Sequence, residues 1–195
     1  SRKNEIPCQL KQLLLIVYFA TTGTLAFSQD KSIASIRFDE IIDFASVDRP
    51  GDLFILLHDG RIVKFDKNGK RIGETKFTSL PTLFDPRDGT TSFAYTHAGQ
   101  KFEFLTSDLA DKSVTTLRPE FAINAWLVCP SKNELWILDS ADLTLKKTKD
   151  RIEAIAYDVV WAKDPGITTA SIIFMREYQN FVFLLDRNVG IFILN

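Results

Sequence analysis

Four stretches of the chain share one pattern: about five apolar, β-branched or aromatic positions, a short polar turn, then a second run of alternating apolar and polar positions. They are LFILLHDGRIVKFD from Leu53, SFAYTHAGQKFEFL from Ser92, ELWILDSADLTLKK from Glu134 and FVFLLDRNVGIFIL from Phe181. Successive side chains of a strand point to opposite faces, so each stretch predicts two antiparallel strands joined by a tight turn. Asp59-Gly60 and Ala98-Gly99 place in the first two turns a glycine, which accepts positive φ without steric cost. Aligning Leu53, Phe93, Leu135 and Phe181 gives offsets of 40, 42 and 46 residues, the spacing of a structural repeat.

Further strand-like runs flank the hairpins. Around the first pair they complete a unit of four antiparallel strands at 41–47, 53–57, 61–66 and 71–77, with Asp66-Lys67-Asn68-Gly69 turning the third into the fourth. The later units repeat this more loosely, with inner strands near 81–85, 126–129 and 172–176 and outer strands near 113–117 and 152–161. Beyond one turn at Asp108-Leu109-Ala110-Asp111, nothing downstream of the first residues sustains a helical period. The pattern therefore predicts an all-β chain of four-stranded blades, a β-propeller, with blades near 40–78, 79–118, 122–162 and 167–195. An antiparallel sandwich or barrel is the alternative, since it also strings short strands on regular turns.

The first residues follow a different rule. Arg2, Lys3 and Lys11 precede the apolar run Leu13-Leu14-Leu15-Ile16-Val17-Tyr18-Phe19-Ala20, and no charge returns until Asp30. The uncharged stretch is about 15 residues, whereas a helix crossing a bilayer needs about 20. Ala26 and Ser28 offer the small residues a signal peptidase prefers, so residues 1–28 read as a secretory signal and 29–195 as the propeller, with no membrane span after cleavage. The alternative is an ordinary buried helix or an uncleaved anchor. Export from a bacterial cell, into the periplasm, envelope or extracellular space, is the corresponding expectation. Cys8 lies before the apolar run and Cys129 after it, so the exported chain would hold one cysteine, which reads as a small buried apolar side chain.

The segment from Leu53 to Glu74, with its Gly60-Arg61-Ile62 and Phe65-Asp66-x-x-Gly69-x-x-Ile72 spacing, resembles an NHL-type blade of the six-bladed β-propeller superfamily. Val182-Phe183-Leu184-Leu185-Asp186 with Gly190-Ile191 is similar, and so is Leu135-Trp136-Ile137-Leu138-Asp139. The second unit departs from the motif, having Tyr95-Thr96-His97 where an Asp is expected. The resemblance implies a ring of about six blades with a recognition surface at its central channel, and it implies no particular chemistry. Four units then make a fragment lacking two or three blades. A four-bladed ring closed by a strand at 32–38 is the alternative.

Composition narrows the partners. With 24 Lys plus Arg against 25 Asp plus Glu, net charge -1, the chain has no basic block with which to neutralise a phosphate backbone, so nucleic acid is not expected. The ordinary proportions, 45% hydrophobic and 25% charged, exclude disordered, collagenous and disulfide-scaffold classes. His58 and His97 occupy the same position in consecutive hairpin turns, but no further ligands accompany them, so no metal is expected, and no cofactor either. Asp85-Pro86-Arg87-Asp88-Gly89 is the most polar short segment, and Arg176 follows an inner strand. Asp139, Asp142 and Asp186 follow the second strands of their units and are candidates to line a channel. Trp126, Trp136 and Trp161 sit in apolar surroundings and read as core. The candidate binding rim is thus His58, Asp59, Arg61, Asp85, Arg87, Asp88, His97 and Arg176, engaging a protein or glycan. No Gly-x-Ser-x-Gly, His-Glu-x-x-His, phosphate-binding glycine loop or Cys-x-x-Cys occurs. A binding or scaffold module is the leading expectation, and a propeller-type hydrolase or lyase acting at the channel mouth the second.

Overall fold

The computed structural model describes residues 35–87, 89–149, 154–160 and 168–195. The expected signal segment, Asp88 and Trp161 lie outside the described residues. Fifteen strands occur among them: β1 Ile42–Val47, β2 Leu53–Leu57, β3 Arg61–Phe65 and β4 Arg71–Lys76, then β5 Leu83–Asp85, β6 Thr91–Thr96, β7 Lys101–Thr106 and β8 Lys112–Thr116. They continue as β9 Ala125–Ser131, β10 Glu134–Asp139, β11 Thr144–Lys149 and β12 Ala154–Val160, and end with β13 Ile172–Tyr178, β14 Phe181–Asp186 and β15 Gly190–Leu194. Within each sheet every strand pairs antiparallel with the strand next to it in sequence, giving sheets β1 to β4, β5 to β8, β9 to β12 and the three-stranded β13 to β15. The hairpin stretches read from sequence are β2 with β3, β6 with β7, β10 with β11 and β14 with β15. The segment at Asp108 to Asp111 is a turn, and the two helical turns, both 3-10, fall instead at His97–Gly99 and Thr169–Ser171.

The alternation of side chains explains why sheets stack on sheets. In the second sheet Phe84 and Ala94 face the first, joining Phe54, Leu56, Ile62 and Phe77 in one cluster. Leu83, Phe93, Tyr95 and Phe102 belong to another cluster, with Leu127, Val128, Leu135 and Ile137 of the third sheet and Met175, Val182 and Leu184 of the fourth. Fully burying a side chain of this size contributes about 1.5–3 kcal/mol. Both faces of the inner sheets are apolar because each has a sheet on either side, the condition that makes β2, β6 and β10 near-continuous hydrophobic runs. The first strands of the sheets lie towards one another, β9 touching both β5 and β13. Antiparallel sheets stacked in succession with their first strands inward form a propeller arrangement.

Polar bonds reinforce the stacking. The Tyr95 hydroxyl donates to the Ala125 carbonyl at 2.5 Å, and Trp126 Nε1 donates to the Ile172 carbonyl at 2.8 Å, so each crosses from one sheet to the next. Trp136 is buried and Trp126 half-buried. Asp139, wholly buried at the end of β10, accepts from the Ile123 and Asn124 amides and from Lys146 Nζ. Asp186 ends β14 in the same way and accepts from the Ser171 hydroxyl.

Two faces stand apart. On the first sheet, Ile55, Leu57, Val63 and Phe65 are covered in part by Ile36 and Phe38, and residues 35–38 form no strand. On the fourth sheet, Ile173, Phe181, Ile191 and Ile193 are 41, 40, 65 and 61% exposed.

Candidate ligand-binding mouth

Where the inner strands end, the turns that follow them surround a cavity of about 950 Å³. The first sheet contributes Val47, Asp48 and Arg49, and the second contributes Arg87. The third contributes Ser131 and Lys132 with Glu134 and Lys147 on the strands beyond, and the fourth contributes the segment Arg176 to Asn180. All four sheets therefore meet there, in the size range of small-ligand sites.

Local sequence builds each wall. Asp48 Oδ1 accepts from the amides of Gly51 and Asp52, closing the turn from β1 to β2. Asp85, 3% exposed, accepts the Arg87 amide through Oδ1 and Arg87 Nε through Oδ2, both at 3.0 Å. That arrangement holds Arg87 at φ +21°, outside the usual range for a side chain with a Cβ. Gly89 beside it has φ +79°, and a Cβ there would lie 2.5 Å from the Pro50 ring, so glycine lets the first and second sheets' turns approach. Gln179 and Asn180, at φ +52° and +69°, form the two-residue turn between β13 and β14, a geometry whose twist matches the strands it joins.

Ion pairs tie the walls together. Arg87 Nη1 reaches Glu177 at 3.4 Å, and Arg176 Nη2 lies 3.7 Å from Asp85. Lys147 and Glu134 pair at 2.6 Å. Behind the cavity Cys129 is buried, and that burial pushes its thiol up to about 12 against the lesser pull of Arg87.

Of the residues expected to form the rim, Asp85, Arg87 and Arg176 come together at this mouth. His58, Asp59, Arg61 and His97 lie at the other ends of the strands. The His58 amide donates to the Ile41 carbonyl, just before β1, and its Nδ1 lies 3.0 Å from Asp43. Asp59 is occupied by Arg61, whose amide and Nε donations, the latter at 2.6 Å, hold the carboxyl below the usual carboxylate range. His97 Nδ1 is 2.8 Å from the Ala125 carbonyl, an acceptor that requires the proton on Nδ1, and the ring packs edge-on against Trp126. The two histidines thus share an end of the strands but have different surroundings, and neither lines the cavity. Asp139, Asp142 and Asp186 do not line it either. Their carboxylates cap turns and bind Lys146 or Ser171, and all three are held below the usual range because these bonds outweigh the upward push of burial. Among the described residues no three His, Cys, Asp or Glu side chains gather in a way that would hold a metal.

Arg49, Lys132 and Tyr178 were not among the sequence candidates. Each follows or ends an inner strand, so superposing the turn after the first strand of every unit, rather than the hairpin turn, is the reading that finds them.

No family model matches the sequence, and no curated protein matches it. Solved structures do. A streptogramin B lyase structure matches with a TM-score of 0.53 at 12% identity over 82% of this chain and 56% of that one. Kluyveromyces lactis Hsv2p matches at 0.53 and 11%, covering 84% and 52%, and the β-propeller domain of Cps50 (Swd1) from Myceliophteria thermophila at 0.51 and 15%, covering 74% and 50%. The chain spans about half the length of these structures. At such low identity the likeness concerns architecture, and it agrees with the stacked antiparallel sheets and inward first strands: this chain has the β-propeller fold.

Proposed function

We propose that this chain is a binding module, part of an exported β-propeller that takes a protein or glycan ligand at its channel mouth. The observation that supports this reading is the cavity itself, where turns from all four sheets converge and Arg87 bridges Asp85 and Glu177. The enzymatic alternative has less support. Neither histidine lines the cavity, and Glu134 and Glu177 are engaged with Lys147 and Arg87.

The same reading takes residues 1–28 as a secretory signal and 29–195 as an NHL-like propeller segment, in a ring of about six blades in a bacterial envelope or extracellular space. Its support is the charge and hydropathy order of the first residues and the exposed apolar face of the fourth sheet, which has the composition of the faces that pack between sheets elsewhere. Among the described residues no helix is long and apolar enough to cross a membrane.

The decisive experiment screens the purified protein and an R49Q/R176Q variant, whose changes fall on groups lining the cavity, against glycan and extracellular-protein arrays. Ligands retained by the parent and lost by the variant are expected. Identical profiles would remove the mouth from consideration as the binding site. N-terminal sequencing of the exported protein should begin at Gln29, and a mature chain that retains the residues before Gln29 would sink the signal assignment.

A further inference from the structure

We infer that the ligand of the mouth is an acidic glycan, a saccharide carrying uronate carboxylates or sulfates, held by Arg49, Lys132 and Arg176 beside Tyr178. The inference rests on the reading of the mouth as a binding site and specifies its chemistry.

Charge carries the first step. Among the described residues lining the cavity five charged side chains are cationic and three anionic, although the whole chain is slightly acidic, with net charge -1. The pairs do not consume this excess. Lys147 is matched by Glu134, and Arg87 by Asp85 and Glu177. Arg176 shares Asp85 with Arg87 at 3.7 Å, so these two guanidiniums are balanced by Asp85 and Glu177, whereas no carboxylate among the described residues pairs with Arg49 or Lys132. Arg49 and Lys132, from the first and third sheets, thus face one concave space without a carboxylate partner among the described residues, with Arg176 of the fourth sheet only loosely held beside them, and low-dielectric walls strengthen their attraction for an anion. Arg presents a planar fork suited to carboxylate or sulfate oxygens.

The remaining lining distinguishes a sugar from a peptide. Val47 and Tyr178 are the only large apolar side chains among the thirteen lining residues, so the cavity lacks the apolar pockets that anchor peptide side chains. It offers instead the amides of Gln179 and Asn180 for hydroxyl groups and the Tyr178 ring, 60% exposed, for the apolar face of a pyranose. The tight turn that sets Gln179 and Asn180 at positive φ, with the Asn180 amide bonded to Glu177, fixes the backbone that carries these groups before any ligand arrives, lowering the ordering cost of binding.

The test is calorimetry on the full chain with four probes: a hyaluronan tetrasaccharide, a chondroitin sulfate tetrasaccharide, a carboxyl-reduced hyaluronan tetrasaccharide and pentaglutamate. Binding of a charged saccharide is expected, about tenfold weaker in R176Q or K132Q and weaker again on raising salt from 50 to 300 mM. The first two probes separate carboxylate from sulfate recognition. Equal affinity for the carboxyl-reduced saccharide overturns the acidic requirement but leaves a binding site standing. Tighter binding of pentaglutamate overturns the glycan assignment and likewise leaves the site. Failure of all four probes overturns the inference, and it is the array screen that then tells whether the mouth binds anything. R176Q and K132Q alter exposed or cavity-facing groups, and an unchanged melting temperature shows that lost affinity is not lost fold.

Discussion

Arg87 Nη1 and Glu177 Oε2, ninety positions apart in sequence, meet at 3.4 Å and join the second sheet to the fourth across the mouth. Arg87 is held from the other side by Asp85, so one guanidinium spans two carboxylates. Replacing Arg87 with Ala leaves Asp85 nearly buried with the backbone amide of residue 87 and, as the sole nearby cation among the described residues, the more distant Arg176. We expect a loss of about 1–3 kcal/mol, measured by urea denaturation, since stranding one partner of a buried pair costs more than the pair contributes. E177Q should cost less, because Asp85 keeps its partner.

Asp139 gathers the Ile123, Asn124 and Ala141 amides and Lys146 around one buried carboxylate. Asp139→Asn keeps the shape but places an amide donor where every neighbour is itself a donor. A destabilisation of about 2–4 kcal/mol is expected. A midpoint within experimental error of the parent's would show that the turn before β9 does not depend on this charge.

Gly73 allows β4 to touch the neighbouring sheet: a Cβ there would lie 2.3 Å from the backbone oxygen of Asp108. Because the obstacle is backbone, G73A should cost about 1–3 kcal/mol, as overpacking typically does. Gly99 provides the contrast, since its added Cβ would meet only the flexible Lys101 side chain at 3.5 Å or more. G99A should change the denaturation midpoint little.

Acid should weaken the fold through a defined set of groups. Asp139, Asp142 and Asp186 have their carboxyls held below the ordinary value in the folded chain. Their contribution is therefore complete above the unfolded value of about 4 and is lost as pH falls below it towards the folded values. Urea midpoints recorded from pH 7 to pH 2.5 should decline most steeply below about pH 4, and the decline should be shallower in the Asp139→Asn protein.

Cys129 should be chemically silent in the native state, because burial pushes its thiol up to about 12 and thiolate is the reactive form. Iodoacetamide at pH 8 should leave its peptide unmodified until guanidinium is added, as read by mass spectrometry. Rapid native labelling would mean that the packing between β9 and β13 opens.

The sheets were legible in the sequence because each is made by local pairing. Leu53 to Leu57 reads as a strand from its own residues, and Asp59-Gly60 announces the turn that pairs it with β3. The mouth was legible only in part. Asp85 and Arg87 stand out in a polar pentapeptide and Arg176 at a strand end, but Arg49, Lys132 and Tyr178 come together through the stacking of separate sheets, which local pattern does not encode. His58 and His97 show the converse. Equal position in a hairpin turn suggested equal roles, yet His97 found a carbonyl and a tryptophan on the next sheet, whereas His58 found an aspartate on its own. Leu109 was likewise invisible as a core residue: it lies in a polar turn, and only positive φ carries its side chain back beneath the sheet.

The neighbour-to-neighbour pairing of strands within each of the four sheets has a kinetic consequence. Contacts within each sheet close short loops, so contact order is low for an all-β protein and each meander can assemble as it emerges from the ribosome. Apart from the Arg87–Glu177 and Arg176–Asp85 pairs at the mouth, the sheets pack mainly against the sheets beside them, so cooperativity should pass along the array as it does in other repeat proteins. A defect at Asp139 would then loosen the third and fourth sheets before the first, and amide exchange would record the molecule fraying from one end.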